Sequence, residues 1–386
     1  MTRVVLVNPP YSGLFIRTGR WLRETRAYQN WYPILLGYCC GLLMREGHEC
    51  LLLDAEADRL DFYQTFKRIY KFKPDWIVVY WGYDSRVNDF MFADKLKCDG
   101  FKVVLASPWS YCLSHNQFKR ETQISYMTYG EFDHTVLELV SENKSPSEIL
   151  GLIWKDEKGE VHQNPRRPLC SPEELDRFPF VTKIYKKFLN LYNYRQTSLR
   201  YPYIDLYSSR GCPHYRCIYC VFPRSLQGKP SYRCRSIRNV MDELWYIHDF
   251  IPEVKQIYFQ DDTLTEKRMR DIAQAILDEG LKICWGGECR PEISYETLKL
   301  AKESGLRTLQ VGYEVPIDRH LKIIEKGTTV KQITEFAENV RKLKLWSSMS
   351  LMIFPWMTPD EIRFMIKWAK QMKPTRINLM MAIHYP

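Results

Sequence analysis

Three cysteines lie within nine residues of one another near the middle of the chain. Cys212, Cys217 and Cys220 follow a Cys-x4-Cys-x2-Cys spacing and come soon after a strand-like run at 203–207. A structural zinc site normally takes four protein ligands, so these three thiolates do not complete one. Three thiolates do suit a four-iron cluster that leaves one iron open to an outside ligand. The spacing therefore predicts an iron–sulfur centre, with a zinc site completed by a remote Cys or His, such as Cys234, as the alternative.

Further polar residues come at the ends of three later strand-like runs. Asp261 and Asp262 follow the first run, Glu288 and Arg290 the second, and Glu314 the third. Functional side chains of an α/β barrel lie at the carboxyl ends of its strands. Acidic groups and an arginine on one rim can hold a zwitterionic amino acid and a ribose. For any single carboxylate, a helix-capping or surface role is the alternative.

The elements that must position these groups alternate between strand and helix along most of the chain. In the first part we predict strands at 4–7, 50–54, 75–80, 101–106 and 124–127, with helices at 33–45 and 61–73. Alternation resumes with strands at 203–207, 254–260, 283–287, 308–313, 347–354 and 376–382. Such alternation is typical of parallel sheets covered by helices. The segment between them contains a predicted hairpin at 153–161.

A chain of 386 residues is too long for one ordinary core. We predict an α/β protein with a doubly wound, Rossmann-like domain at 1–143, a linker with a hairpin at 144–200, and a partial (β/α)6 TIM-type barrel at 201–386.

Composition limits the compartment and the partners. The formal charge of +10 and the pI near 8.9 suit an acidic partner such as RNA. The basic residues are scattered, however, without an RNA-recognition signature, so we expect a solvated basic surface and no nucleic acid. No apolar run approaches the roughly 18 residues of a membrane span. Twelve cysteines without a signal peptide indicate a reducing, cytoplasmic location.

The segment that contains Cys212, Cys217 and Cys220, which we call the cysteine loop, resembles that of the radical S-adenosylmethionine (SAM) enzymes. Those enzymes usually place three residues, not four, between the first two cysteines. The resemblance implies that Cys212, Cys217 and Cys220 hold a 4Fe–4S cluster whose open iron binds SAM. It also implies that Tyr219 packs on the adenine. The strand-end motifs and an Arg-x-Arg-Ser element match the family as well, and the implied SAM-binding residues are Tyr219, Asp261, Asp262, Glu288, Arg290, Glu314 and Arg235.

The first part of the chain is similar to the cobalamin-binding domain of one branch of that family. The similarity depends on short motifs in order: Asn8-Pro9-Pro10, Pro33-x-x-x-Gly37, Arg45-Glu46-Gly47-His48-Glu49, Pro74-Asp75 and Tyr129-Gly130-Glu131. No Asp-x-His-x-x-Gly signature occurs, which implies cobalamin without a histidine on cobalt. The implied contacts are Asn8, Pro9, Tyr11, Trp81, Tyr83, Ser107, Trp109, Gly130 and Glu131. A plain doubly wound domain with aromatic core residues is the alternative.

Taken together, the resemblance implies a cobalamin-dependent radical SAM methyltransferase that methylates an unactivated carbon. A 5′-deoxyadenosyl radical and methylcobalamin would carry the reaction, and ferredoxin or flavodoxin would supply the electron. Because the chain stops at Tyr385-Pro386, just after the sixth predicted strand, we expect an open site for a peptide or protein residue, as in the enzymes that modify methyl-coenzyme M reductase.

Four alternatives stay open. The substrate could be a small metabolite, or the same cofactors could serve cyclisation or rearrangement without methyl transfer. An RNA-modifying enzyme and a zinc-binding interaction module are the others.

A glycine-rich turn of the family is replaced here by Phe354-Pro355-Trp356. We expect this segment to shape the substrate pocket.

Overall fold

A computed structural model describes residues 1–13, 15–17, 22–24, 29–222, 226 and 228–383. The predicted chain end at Tyr385-Pro386 lies outside these residues. The described residues form two compact units. The first contains residues 1–196 and 221–229, and the second contains residues 197–220 and 230–383.

The first unit is built around a seven-stranded sheet. The strands of this unit are β1 (Arg3–Asn8), β2 (Phe15–Arg17), β3 (Leu22–Glu24), β4 (Glu49–Asp54), β5 (Trp76–Tyr80), β6 (Lys102–Ala106), β7 (Tyr126–Thr128), β8 (Leu152–Lys155) and β9 (Val161–Gln163). The sheet order is β4-β1-β5-β6-β7-β8-β9, and β2 and β3 form a separate two-stranded sheet. β4, β1, β5, β6 and β7 are parallel, while β8 and β9 are antiparallel. The predicted hairpin therefore extends this sheet.

Helices accompany the parallel strands. They are α1 (Ile34–Arg45), α2 (Phe62–Phe72), α3 (Arg86–Cys98), α4 (His115–Glu121), α5 (Asp133–Ser141), α6 (Pro172–Arg177) and α7 (Val181–Phe188). β1 and β5 are almost wholly buried, as expected for strands covered on both faces. α2 begins with the capping box of Asp61 and Gln64. α3 was not predicted, because its short apolar run at 90–93 lies between charged residues, including a fully buried Asp89.

The second unit contains an all-parallel sheet of six strands. The strands of this unit are β10 (Tyr203–Leu206), β11 (Ser209–Cys212), β12 (Ser231–Cys234), β13 (Gln256–Leu264), β14 (Trp285–Cys289), β15 (Leu306–Glu314), β16 (Trp346–Ile353) and β17 (Arg376–Met381). The order β10-β13-β14-β15-β16-β17 follows the chain, and β11 and β12 form a separate antiparallel hairpin. All six predicted strand regions are present.

Six helices connect these strands: α8 (Ile237–Phe250), α9 (Glu266–Asp278), α10 (Tyr295–Glu303), α11 (Asp318–Ile323), α12 (Val330–Lys342) and α13 (Pro359–Met372). The predicted capping boxes that begin α12 and α13 are confirmed at Thr329 and Thr358. β13 and β14 run further than predicted, because their pairing resumes at Leu264 and Cys289 after an irregularity that begins at Phe259. Asp261, Asp262 and Glu288 consequently lie within the last residues of their strands.

The twelve cysteines all lie within the described residues, and none of them forms a disulfide. No helix in the described ranges is long and apolar enough to span a membrane.

Candidate active site

Cys212 is the last residue of β11, so the β11–β12 hairpin positions the start of the cysteine loop. Cys212 lies opposite Ser231, whereas Cys234 lies opposite Ser209 at the other end of the ladder. Three residues of strand separate the two positions by about 10 Å, and an odd offset places their side chains on opposite faces. This geometry does not support a zinc site completed by Cys234.

The described residues contain no group of three or more His, Cys, Asp or Glu side chains that could hold one metal ion. A 4Fe–4S cluster binds each thiolate through a different iron atom. Its cysteines therefore surround the cluster and need not converge on one point.

The cysteine loop packs on a turn that follows α11, which we call the anchor turn (residues 324–327). His214 donates a hydrogen bond from Nε2 to the Glu325 carbonyl at 2.6 Å. The Ile218 amide donates to the Ile324 carbonyl at 3.3 Å. Tyr215, one of the four residues between the first two cysteines, adopts a left-handed φ of 54°. The longer first arm of the loop is thus held by defined contacts.

Cys217 lies beside two cations. Arg290 Nη1 is 3.9 Å from Cys217 Sγ. Burial raises the pKa of the Cys217 thiol, and the positive charges of Lys326 and Arg290 oppose that shift. The charges therefore favour the thiolate, which is the form that binds metal.

Asp261 is fully buried, and both of its oxygens bind the strand before the loop. It accepts hydrogen bonds from the Ser208 amide at 2.7 Å and from the Ser208 and Ser209 hydroxyls at 2.5 Å. Burial raises the pKa of Asp261, while the serine hydrogen bonds lower it. Asp262 accepts from the Gly211 amide at 3.0 Å through one oxygen. These contacts favour a positioning role for Asp261 over a ligand contact.

Glu314 is bound by a lysine that the sequence did not single out. Lys326 Nζ lies 2.8 Å from Glu314 Oε1 and 3.4 Å from the Tyr219 hydroxyl. The Lys326 carbonyl also accepts a hydrogen bond from Arg290. β14, β15, the cysteine loop and the anchor turn therefore meet at this cluster. Glu288, also predicted, is buried near the end of β14.

Arg235 is held by groups of its own segment. Its guanidinium binds Glu243 at 2.6 Å, the Asn239 side chain at 2.6 Å and the Tyr207 carbonyl at 2.8 Å. These contacts join β12 to α8. They favour a structural role over the predicted SAM contact.

Tyr219 is the first of three aromatic residues that contact one another in turn. Its ring lies edge-on to Phe354 at 5.8 Å, and Phe354 stacks on Trp356 at 5.0 Å. Trp356 donates its indole N–H to His320 Nδ1 at 3.1 Å, and His320 Nε2 lies 3.0 Å from Glu361. The Trp356 ring is 43% exposed, so it presents an oriented aromatic surface.

In the first unit, the predicted cobalamin residues lie along the carboxyl edge of four adjacent strands. Asn8 ends β1, while the others follow β1, β5, β6 or β7: Pro9, Tyr11, Trp81, Tyr83, Ser107, Trp109, Gly130 and Glu131. The structure therefore brings these residues to one edge, where parallel α/β sheets bind ligands.

Several of these residues contact a buried arginine that the sequence did not identify. Arg17 donates to the Pro9 carbonyl at 2.8 Å and binds Asp89 at 2.7 Å, with both charged side chains fully buried. Asn8 Oδ1 lies 3.4 Å from Arg17, and the Tyr11 ring lies 5.6 Å from its guanidinium carbon. The signal was hidden because Arg17 and Asp89 are 72 residues apart.

The remaining predicted residues at this edge differ in their surroundings. Ser107 accepts from the Trp109 amide, and Glu131 accepts from the Cys170 amide at 3.2 Å. Gly130 has a left-handed φ of 76°. The Arg86 guanidinium covers the Tyr83 ring at 4.8 Å.

Trp81 Nε1 and Thr128 Oγ1 are among the buried polar atoms at this edge that lack hydrogen-bond partners within the described residues. Trp81 is fully buried and packs against Phe90 at 5.2 Å. Buried polar groups are normally paired, so these atoms fit an edge that receives a polar ligand.

Comparisons with known proteins extend these observations. Residues 206–369 match the Radical SAM superfamily. The chain is 30% identical over 363 residues to an uncharacterized methyltransferase of Pyrococcus horikoshii, with 92% of this chain and 76% of that protein covered. It is 24% identical over 373 residues to cytidylyl-2-hydroxyethylphosphonate methyltransferase of Streptomyces wedmorensis, with 81% of this chain and 67% of that protein covered.

Solved structures share the fold. The cobalamin-dependent SAM radical enzyme OxsB, with aqua-cobalamin and SAM bound, matches with a TM-score of 0.75, 18% identity, and 95% of this chain covered. This chain spans only 52% of the length of OxsB. The radical SAM methyltransferase TsrM of Kitasatospora setae, with tryptophan substrate and a SAM analog bound, matches with a TM-score of 0.71 and 18% identity, with 98% of this chain and 73% of that chain covered.

The superfamily match includes the cysteine loop, and the methyltransferase relative aligns along most of both chains. The chain therefore belongs to the radical SAM superfamily and is related to methyltransferases along most of its length, and it shares its fold with a cobalamin-dependent radical SAM enzyme.

Proposed function

We propose that the second unit is a partial (β/α)6 barrel that binds a 4Fe–4S cluster through Cys212, Cys217 and Cys220. The observation that carries this proposal is that the anchor turn holds the cysteine loop in place, with Arg290 Nη1 3.9 Å from Cys217 Sγ. SAM would bind at the neighbouring strand ends, where Asp262, Glu288, Arg290 and Glu314 lie. Tyr219 would pack on its adenine, while Asp261 and Arg235 would position the loop and α8.

We further propose that the first unit is a Rossmann-like cobalamin-binding domain. Its sheet order and the nine residues along its carboxyl edge support this assignment, as do the unpaired Trp81 Nε1 and Thr128 Oγ1 among the described residues. The contacts of Ser107 and Glu131 with backbone amides indicate that these two side chains shape the edge.

The proposed reaction is methyl transfer to an unactivated carbon. A bound cluster would supply the electron that cleaves SAM to methionine and a 5′-deoxyadenosyl radical, and a bound cobalamin would supply the methyl group. The residues of this chain would orient SAM and exclude water. Arg290 and the anchor turn would hold the Cys217 end of the loop in place.

For the substrate, we propose a small molecule. TsrM was solved with a tryptophan substrate, and the S. wedmorensis relative is named for a cytidylyl phosphonate. These relatives give no support to the peptide or protein substrate expected from the sequence. The exposed Trp356 ring, fixed by His320 and stacked on Phe354, would form one wall of the substrate pocket.

Anaerobic incubation of the reconstituted protein with cobalamin, methyl-deuterated SAM and a reductant tests the proposed function. A methyltransferase of this type consumes SAM twice, so both 5′-deoxyadenosine and S-adenosylhomocysteine should form, and the product should gain one deuterated methyl group. Formation of 5′-deoxyadenosine with an unmethylated product would favour the cyclisation or rearrangement alternative. Absence of both SAM products in a protein that holds iron and cobalt would refute the proposal.

A further inference from the structure

A lysine and a glutamate form an ion pair inside the second unit. Lys326 Nζ lies 2.8 Å from Glu314 Oε1, and the two side chains are 5% and 8% exposed. The neighbouring Gly312 leaves space for this pair, because a Cβ there would lie 2.5 Å from Glu314 Oε1 and 3.2 Å from Lys326 Nζ. The pair is therefore built into the end of β15.

The pair lies directly beside the cysteine loop. Lys326 Nζ is 3.4 Å from the Tyr219 hydroxyl, next in sequence to Cys220. The Lys326 carbonyl binds Arg290, whose other nitrogen reaches Cys217 Sγ. One residue before Lys326, the Glu325 carbonyl binds His214 of the same loop. Lys326 thus contacts the surroundings of two of the three cysteines.

Stability alone does not account for this arrangement. The cost of removing both charges from water largely offsets their attraction, so a buried pair contributes little net stability. Fixed charges in a poorly screened interior do act strongly on other charges a few ångströms away. A redox centre held by the loop would carry such a charge.

We propose that Lys326 and Glu314 set the reduction potential of the cluster held by Cys212, Cys217 and Cys220. This inference depends on the proposed cluster assignment. Reduction adds one electron, delivered by a one-electron donor, to the cluster. The Lys326 cation stabilises the added negative charge, and the Glu314 carboxylate opposes it. Lys326 therefore acts on the cluster through its charge.

The test is a redox titration of the reconstituted full-length protein, with dithionite as reductant and electron paramagnetic resonance as readout. Lys326→Met should shift the midpoint potential to a more negative value, and Glu314→Gln should shift it to a more positive value. The double variant should return close to the wild-type potential. Lys326→Arg should also stay close to it, because the charge is kept.

The control is Lys322→Met, which removes the same charge from an exposed position on α11. Solvent screens that charge, so the potential should not change. Equal potentials in wild type, Lys326→Met and Glu314→Gln would overturn the inference, as would shifts of the two variants in the same direction. If Lys326→Met loses its iron, the midpoint potentials of Glu314→Gln and of the double variant still test the inference. A wild-type protein that forms no cluster would instead overturn the proposed function.

Discussion

The adjacent carboxylates of Asp261 and Asp262 have different surroundings in this protein. Asp261 is fully buried and accepts three hydrogen bonds from Ser208 and Ser209, while Asp262 is partly exposed and accepts one from Gly211. We therefore propose that Asp261 positions the start of the loop and that Asp262 binds SAM. Burial and contacts, which sequence alone does not give, distinguish the two.

Replacing each aspartate with asparagine separates these roles. Asp261→Asn replaces one of the two buried acceptor oxygens with a donor NH2 group and should lower the free energy of unfolding by roughly 1–3 kcal/mol. Asp262→Asn should leave that free energy nearly unchanged and weaken SAM binding. Urea unfolding and equilibrium dialysis with SAM measure the two effects. The opposite assignment of effects would contradict both roles.

The first unit contains a buried carboxylate that predicts a pH dependence. Burial raises the pKa of Glu56 to about 7, although the Arg17 charge lowers it. A folded pKa above the unfolded value means that the contribution of Glu56 to stability is full below about pH 4 and is lost as the pH rises through 7.

Glu56→Gln, which stays neutral, should therefore gain stability relative to wild type as the pH rises from 5 to 8. The difference should reach on the order of 3 kcal/mol. Urea unfolding of both proteins at the two pH values measures it. A stability difference that is the same at both pH values would show that Glu56 does not titrate in this range.

At the scale of elements, the anchor turn is the main structural support of the cysteine loop. Gly327 has a left-handed φ of 75°, and a Cβ there would lie 2.7 Å from the His214 ring. Gly280 has a similar φ of 67°, but a Cβ there would meet no described atom within 4 Å.

Gly327→Ala should therefore lower the iron content of the reconstituted protein, because the alanine displaces His214 and the first arm of the loop. Gly280→Ala is the matched control. Both variants should lose about 1 kcal/mol of stability through backbone strain, and only the first should lose iron. Iron analysis combined with thermal unfolding gives the answer. Equal iron contents would show that the anchor turn does not support the cluster.

Most strands and the capped helices could be predicted, since their signals are local. The β-branched run of β5 and the capping box of Thr358 and Glu361 are examples. The cysteine loop was equally local. Lys326 was missed because it lies 107 residues from Tyr219, within an ordinary lysine-rich segment. The bulged end of β13 also escaped prediction, so Asp261 was expected beyond the strand and facing a ligand.

At the scale of the whole molecule, the net charge of +10 suits an acidic substrate such as RNA. An RNA substrate would be bound through phosphate contacts, and its affinity would fall steeply with salt. The substrate that we propose is instead a small molecule.

Anaerobic incubation of the protein with cell lysate and methyl-labelled SAM should therefore place the label in the low-molecular-mass filtrate. Filtration, nuclease treatment and protease treatment of the products measure the distribution. The Cys217→Ala variant provides the background. Label that is retained with protein until protease treatment would restore the peptide substrate, and nuclease-released label would establish RNA.

The most direct test of the proposed chemistry is the metal content and electron paramagnetic resonance spectrum of the anaerobically reconstituted protein. We predict about four iron and four sulfide per chain, and a reduced-cluster spectrum that changes when SAM is added. Cys212→Ala, Cys217→Ala and Cys220→Ala should each abolish that change. One zinc per chain, or a cluster spectrum that ignores SAM, would contradict the radical SAM assignment of this site.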